Sequence, residues 1–250
     1  MKNFIINLPQ SVERKNNVIS QLSQLSIEPN FIEAVDGSLL TPEELENKVI
    51  GRNYLSPGEI GCALSHLKIY QIMIEEHIPY ALIFEDDIQL SPMFTPNVLT
   101  QIESFLQKVP DTQPHAILLY DTGFKSKPLT KLNETITINK MVNGFTAHAY
   151  FINLQAAKNI LAIQSPLKFE IDAWKHYIYL DQLQLNCVIP SLVHQDRQIA
   201  SIIAQQKGRD FSDPNRRKLK KANFNLLFRA LPWQKRLKTY LFRLYKNLNL

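Results

Sequence analysis

Short apolar runs alternate with stretches of helical periodicity through most of this chain, and that alternation restricts the fold more than any other feature. Residues 4–8, 30–35, 80–84, 116–120 and 149–154 are predicted to be buried strands. Strands separated by helices form a parallel or mixed sheet with helices on both faces. We therefore expect an α/β fold with a Rossmann-type mixed sheet, which binds ligands beyond the carboxyl ends of its strands.

Two of the intervening helices are predicted with defined starts. Residues 41–44 (TPEE) and 56–59 (SPGE) each supply a hydroxyl cap, a first-turn proline and a glutamate that reaches back to the cap. The second helix is expected to run about five turns and to end at residues 77–79. Ser11 is the candidate N-cap of an earlier helix.

Composition and cysteine usage indicate a globular protein from a reducing compartment. The chain is 45% hydrophobic and 20% charged, which is within the globular range. Cys62 and Cys187 are far apart and have no CxxC partner, so neither a disulfide framework nor a zinc site is suggested. The apolar run at residues 4–6 is too short for a signal peptide or a membrane span. We expect a cytosolic protein.

The charge of the chain is divided unevenly, which predicts one domain with an appended basic segment. Residues 207–250 hold 13 Lys and Arg against two Asp, whereas residues 1–206 hold 15 basic and 21 acidic side chains. We expect a catalytic domain over 1–206 and a basic helical segment over 207–250. In the latter, apolar residues share one helical face and basic residues occupy the rest. The apolar face comprises Leu227, Phe228 and Leu231, then Leu237, Tyr240, Leu241, Leu244 and Leu248.

An amphipathic basic helix of this kind predicts binding to a membrane surface, where anionic headgroups attract the cations. A helix docked on the catalytic body with a solvated charged face is the alternative. Nucleic-acid binding is disfavoured, because the body is acidic and no recognition motif is present.

Three consecutive carboxylates, Glu85, Asp86 and Asp87, directly follow the strand at 80–84. Such a cluster raises the pKa of its members unless a divalent cation draws the charges together. Because strand residues alternate between faces, Glu85 and Asp87 are expected to share one side, with Asp86 directed elsewhere, to a ribose or to a structural contact. Oxygen ligands favour Mg²⁺ or Mn²⁺. The alternative is that the acids solvate a strand end.

Several motifs of this sequence resemble those of glycosyltransferase family 25, the bacterial lipooligosaccharide glycosyltransferases related to collagen galactosyltransferases. The match covers residues 2–203. It comprises Phe4-Ile5-Ile6-Asn7-Leu8 with Glu13-Arg14, Ala34-Val35-Asp36-Gly37, Gly58-Glu59-Ile60-Gly61-Cys62-Ala63-Leu64-Ser65-His66, and Leu82-Ile83-Phe84-Glu85-Asp86-Asp87, with weaker similarity at Ala149–Ile152, Ile171-Asp172 and Pro190–Val193.

The resemblance implies a GT-A-like α/β fold and an inverting transfer of a hexose from a UDP-sugar, assisted by Mn²⁺ or Mg²⁺. Galactose is the first expectation for the hexose and glucose the second. The implied acceptor is a lipid-linked lipooligosaccharide or lipopolysaccharide glycan. The enzyme would then work as a peripheral protein on the inner face of the cytoplasmic membrane. A metal-dependent nucleotide phosphohydrolase and a non-catalytic UDP-binding module remain alternatives.

The resemblance also suggests which residues form the site. Asp172, beside Trp174, is the candidate base that deprotonates the acceptor hydroxyl; Glu170 and Asp121 are its rivals, and helix capping by Asp172 is the structural alternative. The candidate metal ligands are Asp87 and Glu85. His194, which matches no motif of the family, is a further candidate ligand of the metal or the diphosphate, since neutral imidazole suits manganese, and a loop histidine is the alternative. The candidate donor-binding residues are Asn7, Leu8, Arg14, Ala34, Val35, Asp36, Ser65, His66, Glu85, Asp86 and Gln195.

Overall fold

The structure, a computed structural model, describes residues 2–50, 53–196 and 213–249, with side chains up to residue 244. Eight strands form one mixed sheet in the order β2-β1-β3-β8-β5-β9-β7-β6. A second sheet pairs β4 with β10. The strands are β1 Asn3–Asn7, β2 Phe31–Glu33, β3 Tyr80–Glu85, β4 Ile88–Leu90, β5 His115–Leu118, β6 Ser126–Lys131, β7 Thr137–Met141, β8 Ala149–Asn153, β9 Gln184–Ile189 and β10 Val193–Gln195.

Six strands of the large sheet run in one direction, because β6 and β9 are both antiparallel to β7, so that β6 runs the same way as the five strands described next. β1 is parallel to β2 and β3, and β5 is parallel to β9. β8 lies antiparallel between β3 and β5, which gives those two strands a common direction. The carboxyl ends of β1, β2, β3, β5 and β9 therefore meet at one edge of the sheet. The prediction of a mixed α/β sheet flanked by helices is confirmed.

The described residues contain eight helices, and two begin with the predicted capping boxes. Thr41 and Ser56 each accept a hydrogen bond from the third helical N–H, and Glu44 and Glu59 bond back to them. Ser11 occupies an N-cap position, but its side chain forms no cap hydrogen bond, since its backbone is not extended. The helices are α1 Val12–Ser23, α2 Pro42–Lys48, α3 Pro57–Glu75, α4 Pro96–Leu106, α5 Leu154–Ile163, α6 Trp174–Tyr179, α7 Pro214–Ala230 and α8 Trp233–Asn249.

The two C-terminal helices form a hairpin that packs against the body. Phe224 and Phe228 of α7 are buried, and Thr239 of α8 donates a hydrogen bond to the Tyr179 carbonyl (2.8 Å). The expected domain boundary at 206/207 lies outside the described residues, and so does the position of Leu248's side chain. Within the described part of the chain, no helix combines the length and apolarity that crossing a membrane requires.

Candidate functional site

A cleft of about 270 Å³ opens at the carboxyl edge of β1, β2 and β3. Most of the predicted site residues line it, although they come from distant parts of the sequence. Asn7, His66, Asp121 and His194 are not among its lining residues. The predicted residues that do line it are Leu8, Arg14, Ala34, Val35, Asp36, Ser65, Glu85, Asp86, Asp87, Glu170, Asp172 and Gln195.

One wall of the cleft forms where the turn after β2 meets the start of α3. A Cβ on Gly61 would lie 2.4 Å from the Val35 carbonyl oxygen, and one on Gly37 would lie 1.9 Å from the Pro57 carbonyl oxygen. Both positions therefore require glycine. Ser65 accepts a hydrogen bond from the Val35 N–H (2.8 Å) and donates one to the Gly61 carbonyl (2.7 Å). The two sequence motifs are thus one packed unit.

Asp86 has structural partners. Its carboxylate accepts hydrogen bonds from Asn7 Nδ2 (2.8 Å) and Arg14 Nη1 (3.0 Å), which joins β1, α1 and the turn after β3. Burial raises the pKa of Asp86, while Arg14 and Asn7 act in the opposite direction. Of the two alternatives for Asp86, the structure shows the structural contact.

Glu85 is held by a buried chain of hydrogen bonds. Its Oε1 lies 3.3 Å from His66 Nε2, His66 Nδ1 lies 2.8 Å from the Tyr150 hydroxyl, and that hydroxyl lies 2.7 Å from the Tyr70 hydroxyl. Burial favours the neutral form of Glu85, but the hydrogen bond from His66 and the charges of His66 and His148 outweigh it, so the pKa is lowered. His66 therefore contacts the cleft through Glu85.

Asp87 lies in the turn between β3 and β4. Gln195 Nε2 donates to its Oδ2 (3.4 Å), whereas its Oδ1 is buried without a hydrogen-bond partner among the described residues. Burial, followed by the charges of Glu85 and Asp86, raises the pKa of Asp87 to about 7. A buried, unpaired carboxylate oxygen beside a second carboxylate is a donor set that suits a hard divalent cation.

His194 is exposed on β10, where it pairs with Gln89 of β4. Among the described residues, the group whose possible metal ligands lie within 4.8 Å of one another is Cys62, His66 and Glu85, so of the predicted ligands Glu85 belongs to such a group and neither Asp87 nor His194 does. Cys62 of α3 lies beside Glu85, with its Sγ 3.8 Å from Glu85 Oε1.

The C-terminal half of the sequence contributes two carboxylates, Glu170 and Asp172, to the cleft. Asp172 Oδ2 accepts a hydrogen bond from the Thr146 N–H (2.8 Å), and burial followed by the Glu170 charge raises its pKa. Glu170 is instead surrounded by donors: Tyr54 at 3.0 Å, Arg216 at 2.6 Å and Lys220 at 2.8 Å. Burial opposes its ionisation, but the charges of Lys220 and Arg216 prevail and the pKa is lowered.

Asp121, the third candidate base, lies in the loop after β5. Its Oδ1 accepts the Gly123 N–H (2.9 Å), and its own N–H is bonded to Ser191 Oγ (2.9 Å). Asp172 is therefore the candidate that lines the cleft and, among the described residues, forms no ion pair with a cation.

Sequence reasoning missed the part that the basic segment plays here. Arg216 of α7 is buried and binds both carboxylate oxygens of Glu59 at 2.7 and 3.1 Å, as well as Glu170 and the Tyr54 carbonyl. The excess positive charge of residues 207–250 was the available signal, but it does not identify which cation is buried.

A mixed sheet with an acidic cleft at the carboxyl ends of its parallel strands defines an α/β protein of the type that binds ligands at this edge. The family model that matches residues 1–174 is Glycosyltransferase family 25 (LPS biosynthesis protein). The chain belongs to this family of glycosyltransferases.

Curated relatives agree with this assignment. The chain is 26% identical over 238 residues to a putative glycosyltransferase of Haemophilus influenzae, covering 86% of this chain and 79% of that protein. It is 30% identical to procollagen galactosyltransferase 2 of Mus musculus, over 40% of this chain and 18% of that protein. It is 26% identical to inactive glycosyltransferase 25 family member 3 of Homo sapiens, over 66% of this chain and 29% of that protein.

A solved glycosyltransferase involved in glycosylation of the major capsid of PBCV-1 is similar over 72% of this chain and 75% of that chain. The two share 12% sequence identity, with a TM-score of 0.35. The fold assignment therefore rests on the sheet described above.

Proposed function

We propose that this chain is an inverting, UDP-sugar-dependent hexosyltransferase that extends a lipooligosaccharide or lipopolysaccharide glycan. The observation that carries the proposal is that the Glu85-Asp86-Asp87 cluster and Asp172 line one cleft at the carboxyl edge of the sheet. The family supplies the reaction class. Galactose is our first choice of sugar, since one relative is named a galactosyltransferase, and glucose is the second.

In this proposal the donor lies along the β1, β2 and α3 wall. Leu8, Val35 and Asp36 contact the nucleoside, and the diphosphate points toward Glu85 and Asp87. These two carboxylates would hold a Mn²⁺ or Mg²⁺ ion, whose positive charge would stabilise the departing diphosphate. His66 fixes the orientation of Glu85, and Gln195 that of Asp87.

Asp172 acts as the base. Its carboxylate takes the proton of the acceptor hydroxyl as that oxygen bonds to the anomeric carbon and the bond from that carbon to the diphosphate breaks. The Thr146 N–H holds Asp172 in position. Its raised pKa makes it a stronger base than an ordinary aspartate. Glu170 is less suited, because Arg216 and Lys220 already neutralise it.

The test uses UDP-sugars labelled in the hexose, with truncated lipooligosaccharides as acceptors and Mn²⁺ present. We expect label on the glycan with wild-type protein and its loss in Asp172→Asn. Release of free labelled hexose or hexose phosphate at the same rate with or without acceptor would indicate a hydrolase. Retention of UDP-sugar with no product from any acceptor would indicate a binding module, a state consistent with the inactive family member.

A further inference from the structure

Helix α8 packs on the protein through one face. Thr239 is buried against the Tyr179 carbonyl, and the Arg243 guanidinium lies 4.6 Å from the centre of the Tyr179 ring. Phe242 packs edge-on against the same ring, with centroids 6.0 Å apart. These contacts dock α8 on the body, and among its other apolar residues Tyr240 lies edge-on to Phe228 of α7, with ring centroids 5.6 Å apart.

The opposite face of α8 exposes an apolar stripe. Its five residues follow helical spacing, so their side chains project to one side of the helix. None of them is less than 48% exposed, whereas large apolar side chains on most proteins are scattered singly. The apolar stripe comprises Trp233 (63% exposed), Leu237 (48%), Tyr240 (54%), Leu241 (57%) and Leu244 (59%).

Exposed cations surround this stripe on the helical hairpin. Residues 207–250 contain 13 basic and two acidic side chains, so this segment is strongly positive, whereas residues 1–206 carry an excess of acidic side chains. The exposed cations include Arg217, Lys218, Lys221 and Arg229 of α7. Lys235 and Lys238 of α8 are also exposed, but both pair with Asp181 of the body.

We propose that the apolar stripe of α8 inserts shallowly into a membrane surface that carries anionic headgroups. Apolar side chains on one side of a helix, with cations beside them and an aromatic at the helix end, match an interfacial helix. The cations would contribute attraction to anionic lipid that salt weakens. A second copy of this chain is a poorer partner, because pairing two such hairpins would bring like charges together.

The hairpin also connects this surface to the cleft. Arg216 and Lys220 belong to α7, and both contact Glu170 on the cleft wall. Docking of α8 would therefore hold the cleft beside the bilayer. This consequence rests on the proposed function, whereas the docking itself does not.

The test measures binding of the full chain to vesicles of phosphatidylcholine with and without about a third phosphatidylglycerol, by sedimentation and by tryptophan emission. Of the two tryptophans, Trp174 is fully buried, so a blue shift reports Trp233. We expect a shift and at least tenfold tighter binding with the anionic lipid, reduced by added salt. The double variant Leu237→Ser/Leu241→Ser should lose at least tenfold of this binding.

The matched control is Leu39→Ser/Leu129→Ser, which removes two equally exposed leucines from the body, at 78% and 51% exposure. It should bind vesicles as wild type does, and thermal unfolding should show that both double variants are folded. The proposal is overturned if wild type ignores anionic vesicles, or if the stripe variant binds them unchanged. It is also overturned if wild type forms a dimer that the stripe variant abolishes while vesicle binding persists. Each of these outcomes is independent of sugar transfer.

Discussion

Arg216 Nη2 lies 2.6 Å from Glu170 Oε1, so a side chain of the C-terminal hairpin neutralises a carboxylate on the wall of the cleft. The same guanidinium binds Glu59, whose carboxylate also completes the capping box of α3. One buried cation thereby joins the hairpin, the helix that supports the β2 turn, and the segment that carries Asp172. The basic segment is part of the site as well as a surface feature.

Arg216→Met should destabilise the protein substantially. Removing the guanidinium breaks its ion pairs with the buried carboxylates of Glu59 and Glu170, of which Glu170 keeps Lys220, and the loss costs about 3 kcal/mol. Urea unfolding measures the loss. Arg217→Met is the matched control, since Arg217 is the exposed neighbour of Arg216 and its removal should change stability by less than about 0.5 kcal/mol. Equal effects of the two substitutions would show that the buried contacts contribute nothing.

Glu170 should make the protein acid-sensitive. Its pKa is lower in the folded than in the unfolded state, so its stabilisation is complete above the unfolded pKa of about 4.3 and is lost as pH falls through the lower folded pKa. The pKa of Glu85 is also lowered, so its contribution to stability depends on pH in the same direction. In urea unfolding over roughly pH 3 to 6, Glu170 and Glu85 should therefore contribute a loss of stability as acid is added, opposed by Asp87 and Asp172, whose pKa values are raised. The slope should be smaller in Glu170→Gln, and an unchanged slope would contradict the assignment.

Ser65→Ala should lower the free energy of unfolding more than the same substitution at an ordinary helical serine does. It removes the acceptor of the part-buried Val35 N–H, and leaving such an amide unsatisfied costs about 1 kcal/mol or more. Ser104→Ala is the control, because Ser104 also donates to the carbonyl four residues earlier (2.9 Å) but is exposed on α4. The free energy of unfolding of the Ser104 variant should stay within about 0.5 kcal/mol of the wild-type value. The Ser65 variant should also bind donor more weakly, since the β2 turn lines the cleft.

Asp172→Asn should reduce kcat by about a thousandfold while donor affinity stays within about a factor of three of wild type, as removal of a general base does. Asp121→Asn is the control and should retain activity, because Asp121 does not line the cleft. The kcat of both variants is measured at saturating donor. A larger loss of kcat in the Asp121 variant would instead identify Asp121, in the loop after β5, as the base.

The parts of the fold that the sequence predicted are those with strong local signals. The buried strands β1, β3, β5 and β8 are apolar runs, and α2 and α3 carry capping boxes. β6 was missed because Ser126–Lys131 is polar and lies at the sheet edge, where no alternation marks it. Its neighbour β7 was missed for a similar lack of pattern.

The site residues show the same contrast between local signals, which the sequence reveals, and contacts between distant residues, which it does not. Motif residues that are contiguous in sequence, such as Glu85 to Asp87, were found. Arg216 pairs with Glu59 across 157 residues, and no local pattern encodes such a partner. Asn7 and Arg14 both bond to Asp86, a contact that depends on how β1 and β3 align and that the sequence did not predict. Arg14 also lines the cleft, and Asn7 does not. The donor, metal and base assignments stay predictions.

The measurement that tests the central claim most directly is calorimetric titration of UDP-galactose, UDP-glucose, UDP-N-acetylglucosamine and GDP-mannose into wild type, Asp87→Asn and Asp121→Asn, with Mn²⁺ or with EDTA. We predict selective UDP-sugar binding that requires Mn²⁺, is lost in Asp87→Asn and persists in Asp121→Asn. Binding that is unchanged by EDTA and by Asp87→Asn, or no binding of any nucleotide sugar, would contradict the account.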